Sequence, residues 1–171
     1  MCTDAGMRTN NPRHLKSFDY LGLYRYFLTF CVNDRKTVFA NEAVVTLVMK
    51  QILRAATENR FAVLAYCFMP DHLHLLVEGE ADNSDCRRFI KSSKQYSGFY
   101  YSKAYAQNLW QRYGYERVLR NDEATLDVAR YILNNPLRAG LVREAHEYPF
   151  LGSDRYTIEQ ILEAVADTRS G

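Results

Sequence analysis

The order of secondary-structure signals along this chain predicts an α+β sandwich, a mostly antiparallel sheet with helices packed on one face, in the ferredoxin-like arrangement. Three observations lead there. The signals run strand, helix, strand, strand, helix, strand, helix. The two central strands are parted only by Pro70-Asp71, so they form a hairpin. The 171 residues suit one domain with a sizeable core, and a hydrophobic content of 47% sets the chain apart from disordered ones.

Each element has its own reason. Residues 1–22 are polar and aperiodic, and are expected to form a flexible arm carrying Arg8, Arg13 and Lys16. A domain over 23–150 follows. Leu23 to Val32 alternates as a strand does, with Tyr24, Tyr26, Leu28 and Phe30 on one face. Asn33 to Lys36 is a turn. Asn41 is an N-cap, with Glu42 in the first turn of a helix reaching Asn59; Val44, Val48, Ile52 and Ala56 recur at helical spacing. Phe61 to Met69 is apolar on both faces and reads as a central strand. After the Pro70-Asp71 turn comes a strand from His72 to Glu78. Gly79 to Ser84 is a polar loop, and a helix follows from about Asp85 to Lys103. Leu109 to Leu119 reads as loop, then strand. Asn121 caps the next helix, which should stop near Asn134, because the residue before Pro136 is pushed out of the helical region. Residues 151–171 are expected to be a C-terminal tail with an amphipathic helix over Thr157–Asp167.

The net charge of +2 says little about partners, but its distribution says more. Arg87, Arg88, Lys91, Lys94 and Arg112 lie in a basic middle segment, 85–120, whereas 144–171 is mainly acidic. The basic segment is interleaved with Tyr96, Phe99, Tyr100, Trp110 and Tyr113. Cations suit phosphates, so these five cations are candidates for a polyanion-binding surface. A solvated helix face would also explain them. Cys2, Cys31, Cys67 and Cys86 form no CxxC pair or zinc spacing. With a polar N-terminus and no apolar run long enough to span a bilayer, the expectation is a cytoplasmic protein with no membrane partner.

Two stretches carry chemistry. In His72-Leu73-His74 the strand period puts both imidazoles on one face, about 6.6 Å apart at the backbone, within reach of a single metal ion. Two polar residues on a half-exposed strand would look the same. Downstream, Asp127, Tyr131 and Asn135 are spaced i, i+4, i+8 and share a helix face apart from the apolar row of Leu126, Ala129 and Leu133. A phenol is a nucleophile once its proton is removed. Tyr96, in the basic helix, is the competing candidate, because cations favour a phenolate.

The combination of Met69-Pro70-Asp71-His72-Leu73-His74, Trp110-Gln111-Arg112 and Arg130-Tyr131-Ile132-Leu133-Asn134-Asn135-Pro136 resembles the single-tyrosine HUH (IS200-like) transposases, and among them the REP-associated tyrosine transposases, over about residues 20–150. The resemblance implies nicking and rejoining of single-stranded or hairpin DNA through a 5′-phosphotyrosine. It implies Tyr131 as nucleophile and His72, His74 and Asn135 as ligands of a divalent metal, Mg²⁺ or Mn²⁺. With such a substrate, the basic surface of Arg87, Arg88, Lys91, Lys94 and Arg112 becomes a candidate DNA-binding one, its flat rings suited to unstacked bases. Monomer and dimer both stay open. Two other classes remain compatible with the residues: a non-cutting nucleic-acid-binding module on the same fold, and a metal hydrolase that activates water.

Overall fold

A computed structural model describes residues 18–167. The cations expected on the N-terminal arm, Arg8, Arg13 and Lys16, lie outside them. From Phe18 onward the chain is packed: Tyr20 is buried and stacks on Tyr26.

The elements are β1 (Arg25–Cys31), α1 (Glu42–Asn59), β2 (Phe61–Met69), β3 (His72–Gly79), α2 (Cys86–Tyr105), β4 (Tyr115–Leu119), α3 (Asp122–Arg138), β5 (Leu151–Gly152) and α4 (Ile158–Asp167). The sheet order is β4-β1-β3-β2-β5, and every ladder is antiparallel. This is the expected α+β order with one short strand added. Asn41 caps α1 by accepting from the Ala43 amide, Asp85 caps α2 through Arg88, and Asn121 caps α3 through Ala124. The Pro70-Asp71 hairpin is pinned from outside, its two carbonyls accepting from the amides of Phe39 and Val32.

Helices cover both faces of the sheet, where one covered face was expected. α1 and α2 pack on the face of Tyr26, Leu28, Phe30, Leu73, Leu75 and Val77. α3 and α4 pack on the other, against Phe27, Ala65, Cys67 and Leu76. The reason is in the strands. β1, β2 and β3 are apolar on both sides, and exposed apolar area costs roughly 25 cal/mol per Å². Residues 151–167 of the expected tail belong to this second layer: β5 pairs with β2, and Ile161 and Val165 are buried.

A second difference concerns Pro136. It does not end α3, which continues to Arg138. Proline in a helix interior costs about 3 kcal/mol through a lost hydrogen bond and a clash with the preceding turn. Here it sits in the last turn, buried, with Leu137 packed on the second core. Ala139 and Leu141 donate to the carbonyls of Asn135 and Pro136, so the helix end is satisfied.

Candidate active site

β3 brings the histidines to the α3 face. With Leu73, Leu75 and Val77 in the first core, His72 and His74 must point the other way, beside Leu76. Both are buried, with exposures of 5% and 4%. Their Nε2 atoms face each other at 3.1 Å. Each Nδ1 is held from behind. That of His72 donates to Asp71 Oδ1 at 2.7 Å, and that of His74 lies 2.8 Å from Thr29 Oγ1. A carboxylate only accepts, so His72 carries a proton on Nδ1, and the neutral ring offers a lone pair at Nε2. A hydroxyl serves as donor or acceptor, so Thr29 accommodates either tautomer of His74.

Asp71 is itself held. Arg35 donates to its Oδ2 from Nε at 3.0 Å. Burial works against the Asp71 carboxylate, but the hydrogen bond from His72 and the nearby charges of His72 and Arg35 outweigh it and lower its pKa. Asp34 and Arg35 both adopt left-handed backbone, φ 54°, at a cost of about 1–3 kcal/mol each. The pairing with Asp71 helps to offset that strain. Behind Thr29 the chain is close: a Cβ on Gly114 would stand 2.6 Å from the Thr29 carbonyl oxygen. Only glycine lets the approach to β4 pass there.

α3 is tied over this face by Arg25, whose guanidinium reaches Glu78 on β3 and Asp122 and Thr125 in the first turn of α3. Val128, Ala129, Ile132 and Leu133 are buried against the sheet. The Tyr131 ring then comes to rest 5.5 Å from His74 and 5.7 Å from Phe27, centre to centre and edge-on to both. Asn135, one turn further along the same face, is 8% exposed, and its amide nitrogen has no hydrogen-bond partner.

These groups fit a divalent cation. Bonds of about 2.1 Å at right angles separate two ligand atoms by about 3.0 Å, close to the 3.1 Å between the imidazole nitrogens. The ends of an amide are interchangeable in shape, so Asn135 can turn its oxygen to where its unpartnered nitrogen stands. Among the described residues no group of three or more His, Cys, Asp or Glu could hold a metal ion. An amide third ligand is outside that count.

Burial, with the charges of His72, Arg138 and Arg35, holds the His74 pKa well below 6.5. An unfolded chain takes up a proton at this position near the ordinary value and the folded one does not. The contribution is therefore whole above about pH 6.5 and is lost as pH falls towards the folded value. In metal-free buffer the wild-type melting temperature is expected to fall through this window more steeply than that of His74→Asn. Parallel pH profiles would show that His74 is not buried neutral.

Other expected site residues lie elsewhere. Arg87, Arg88, Lys91 and Lys94 are on α2, across the sheet from the histidines. The first three are exposed. Lys94 is half-buried, donates to the Gln111 carbonyl at 3.2 Å and lies over the Phe30 ring; burial lowers its pKa. Arg112 is exposed and stacks on Tyr113. Tyr96 is also on α2, where it donates to Glu58 at 2.7 Å with Arg54 over its ring. It is not near the histidines. Sequence reasoning assigned no role to Thr29, Arg35 or Arg138. Thr29 follows from the β1–β3 register, which sets it opposite His74. Arg117 is exposed on β4 and shares its face with Tyr115, which touches Phe27.

A family model described as "Transposase IS200 like" matches residues 21–135. An Escherichia coli K12 REP-associated tyrosine transposase is 29% identical over 102 residues, 58% of each chain. A Haemophilus influenzae protein, provisionally named a REP-associated tyrosine transposase, is 24% identical over 145 residues, 73% of this chain and 77% of its own. The fold is shared with a solved REP-associated tyrosine transposase bound to a REP hairpin, with TM-score 0.67, 20% identity, and coverage of 81% of this chain and 82% of that one.

Proposed function

This chain belongs to the IS200-like transposase family, and on that premise we propose that it nicks and rejoins single-stranded DNA next to a hairpin through a covalent 5′-phosphotyrosine on Tyr131. The observation that carries the reading is the convergence of the Tyr131 ring on His74, whose Nε2 faces that of His72 at 3.1 Å. Tyr131 Oη attacks the scissile phosphorus, a new O–P bond forms and the bond to the 3′ oxygen breaks. The phenolic proton ends on the released 3′-hydroxyl. Running the step backwards with another 3′-hydroxyl rejoins strands without an energy cofactor.

His72, His74 and Asn135 would hold Mg²⁺ or Mn²⁺. When bound, the ion polarises the phosphate as a Lewis acid. Asp71 and Thr29 orient the two imidazoles, and Arg35 holds Asp71 in place. α3, anchored by Arg25, keeps the phenol at a set distance from the imidazoles, which makes the attack effectively unimolecular. The similar solved transposase binds a REP hairpin, and hairpin DNA is the substrate class we assign here.

The test is incubation with labelled single-stranded hairpins of varied guide sequence in Mg²⁺ or Mn²⁺. A denaturation-resistant protein–DNA adduct is expected. Nicking without an adduct would indicate a water-using hydrolase, and binding without nicking a non-cutting module.

Arg87, Arg88 and Lys91 are remote from the chemistry, so their part is binding alone. Replacing all three by Gln should lower the slope of log affinity against log salt by about 2, at roughly 0.7 per phosphate contact on a single strand. The cleavage rate at saturating DNA should stay unchanged. An unaltered slope would put the DNA on the α3 side, where Arg117 and Arg138 are exposed.

A further inference from the structure

α3 runs through Pro136, and this brings Arg138 to the nucleophile. Tyr131, Asn135 and Arg138 are i, i+4 and i+7, one face over two turns. The Arg138 guanidinium carbon lies over the Tyr131 ring, 4.3 Å from its centre. The ring also meets Phe27 and His74 of the sheet edge-on. Tyr131 is thus held between the sheet and a cation at the solvent side, since Arg138 is exposed.

We propose that Arg138 is the phosphate-binding guanidinium of this site, gripping a non-bridging oxygen of the scissile phosphate while its flat face positions Tyr131. The proposal rests on the nicking reading and extends it to a residue which that reading does not need. Arginine suits both tasks at once. Its planar face stacks on an aromatic ring, and its N–H groups, which lie in the same plane, project past the ring edge towards phosphate oxygens. A divalent ion held by the two histidines and the amide would place positive charge on one side of the phosphate only. As the phosphorus takes on a fifth oxygen, negative charge grows on the non-bridging oxygens, and a fixed cation beside the attacking phenol stabilises it. In the reverse step the same charge stabilises the departing phenolate. Lysine could supply charge there but neither the stacking plane nor the fork.

The test uses the full chain in single-turnover cleavage of a hairpin substrate, with DNA affinity measured alongside. At saturating DNA, Arg138→Met is expected to cut about 100-fold more slowly than wild type, in line with the loss of one transition-state donor. Arg138→Lys should recover part of the rate, and both affinities should stay within about threefold of wild type, because one phosphate contact among several is lost. A rate for Arg138→Met equal to wild type at saturating DNA, or a defect confined to affinity, overturns the proposal. A second measurement does not depend on cleavage: titration of wild type with inorganic phosphate, followed at the Arg138 side-chain Nε signal by NMR. A saturable shift is expected, and an unresponsive signal overturns the phosphate contact even if DNA is cut. If wild type forms no adduct with any hairpin, the nicking reading fails, and the phosphate titration still decides the role of Arg138.

Discussion

Tyr131→Phe is expected to abolish the covalent protein–DNA adduct, with the single-turnover cleavage rate falling by about 10⁴-fold or more, the scale on which removal of a nucleophile acts. Folding and DNA affinity should survive. Its ring packs against Phe27, His74 and Arg138, and phenylalanine keeps that ring. Tyr96→Phe is the matched control. It removes a hydroxyl from a ring that is also stacked under a guanidinium, but on the far side of the sheet and bonded to Glu58. It should cut DNA at the wild-type rate. An adduct that persists in Tyr131→Phe and disappears in Tyr96→Phe would reverse the assignment.

The second large effect is expected from the histidine pair. His72→Ala and His74→Ala should each lower cleavage by about 10³-fold or more, since several kcal/mol of transition-state stabilisation at a metal-polarised phosphate go with the ligand. The two should differ in stability. His72→Ala leaves Asp71 still paired with Arg35. His74→Ala strips a fully enclosed side chain from between Phe27 and Tyr131 and takes the partner from Thr29 Oγ1, a further cost of about 1–3 kcal/mol. The measurement is a thermal melt with and without Mn²⁺. If these residues hold the ion, wild type should gain stability as it is added, since a ligand of the folded state alone stabilises it, and the double alanine variant should gain none. Full nicking activity in the double variant would sink the metal assignment.

Much of this site was legible in the residues because its parts are local patterns. His72 and His74 share a face by strand period, and Tyr131 and Asn135 share one by helical period. Neither statement needs a third element. The choice of nucleophile drew on more than local charge. Charge density favoured Tyr96, whereas the one-turn spacing to Asn135 and the resemblance favoured Tyr131, and the fold sets Tyr96 on the side of the sheet away from the histidines. The cations of α2 show the same limit: their clustering is plain in the chain, but the side of the sheet they occupy is not. Pro136 misled because its bias against helix is a statement about an isolated backbone. Burial of Pro136 and packing of Leu137 on the second core outweigh it.

By itself, then, the sequence determined the order of elements, the hairpin at Pro70-Asp71, and which face of its own strand or helix each functional side chain occupies. These follow from backbone geometry within a few residues. The tertiary structure alone decided that α3 lies over the histidine face and α2 behind it, that Thr29 and the Arg35–Asp71 pair hold the imidazoles, and that Arg138 reaches Tyr131. Apart from Arg138 and Tyr131, seven residues apart on one helix, those contacts join residues distant in the chain. They depend on the β4-β1-β3-β2-β5 order, on two apolar sheet faces that both had to be covered, and on a helix end stabilised by burial against its local preference.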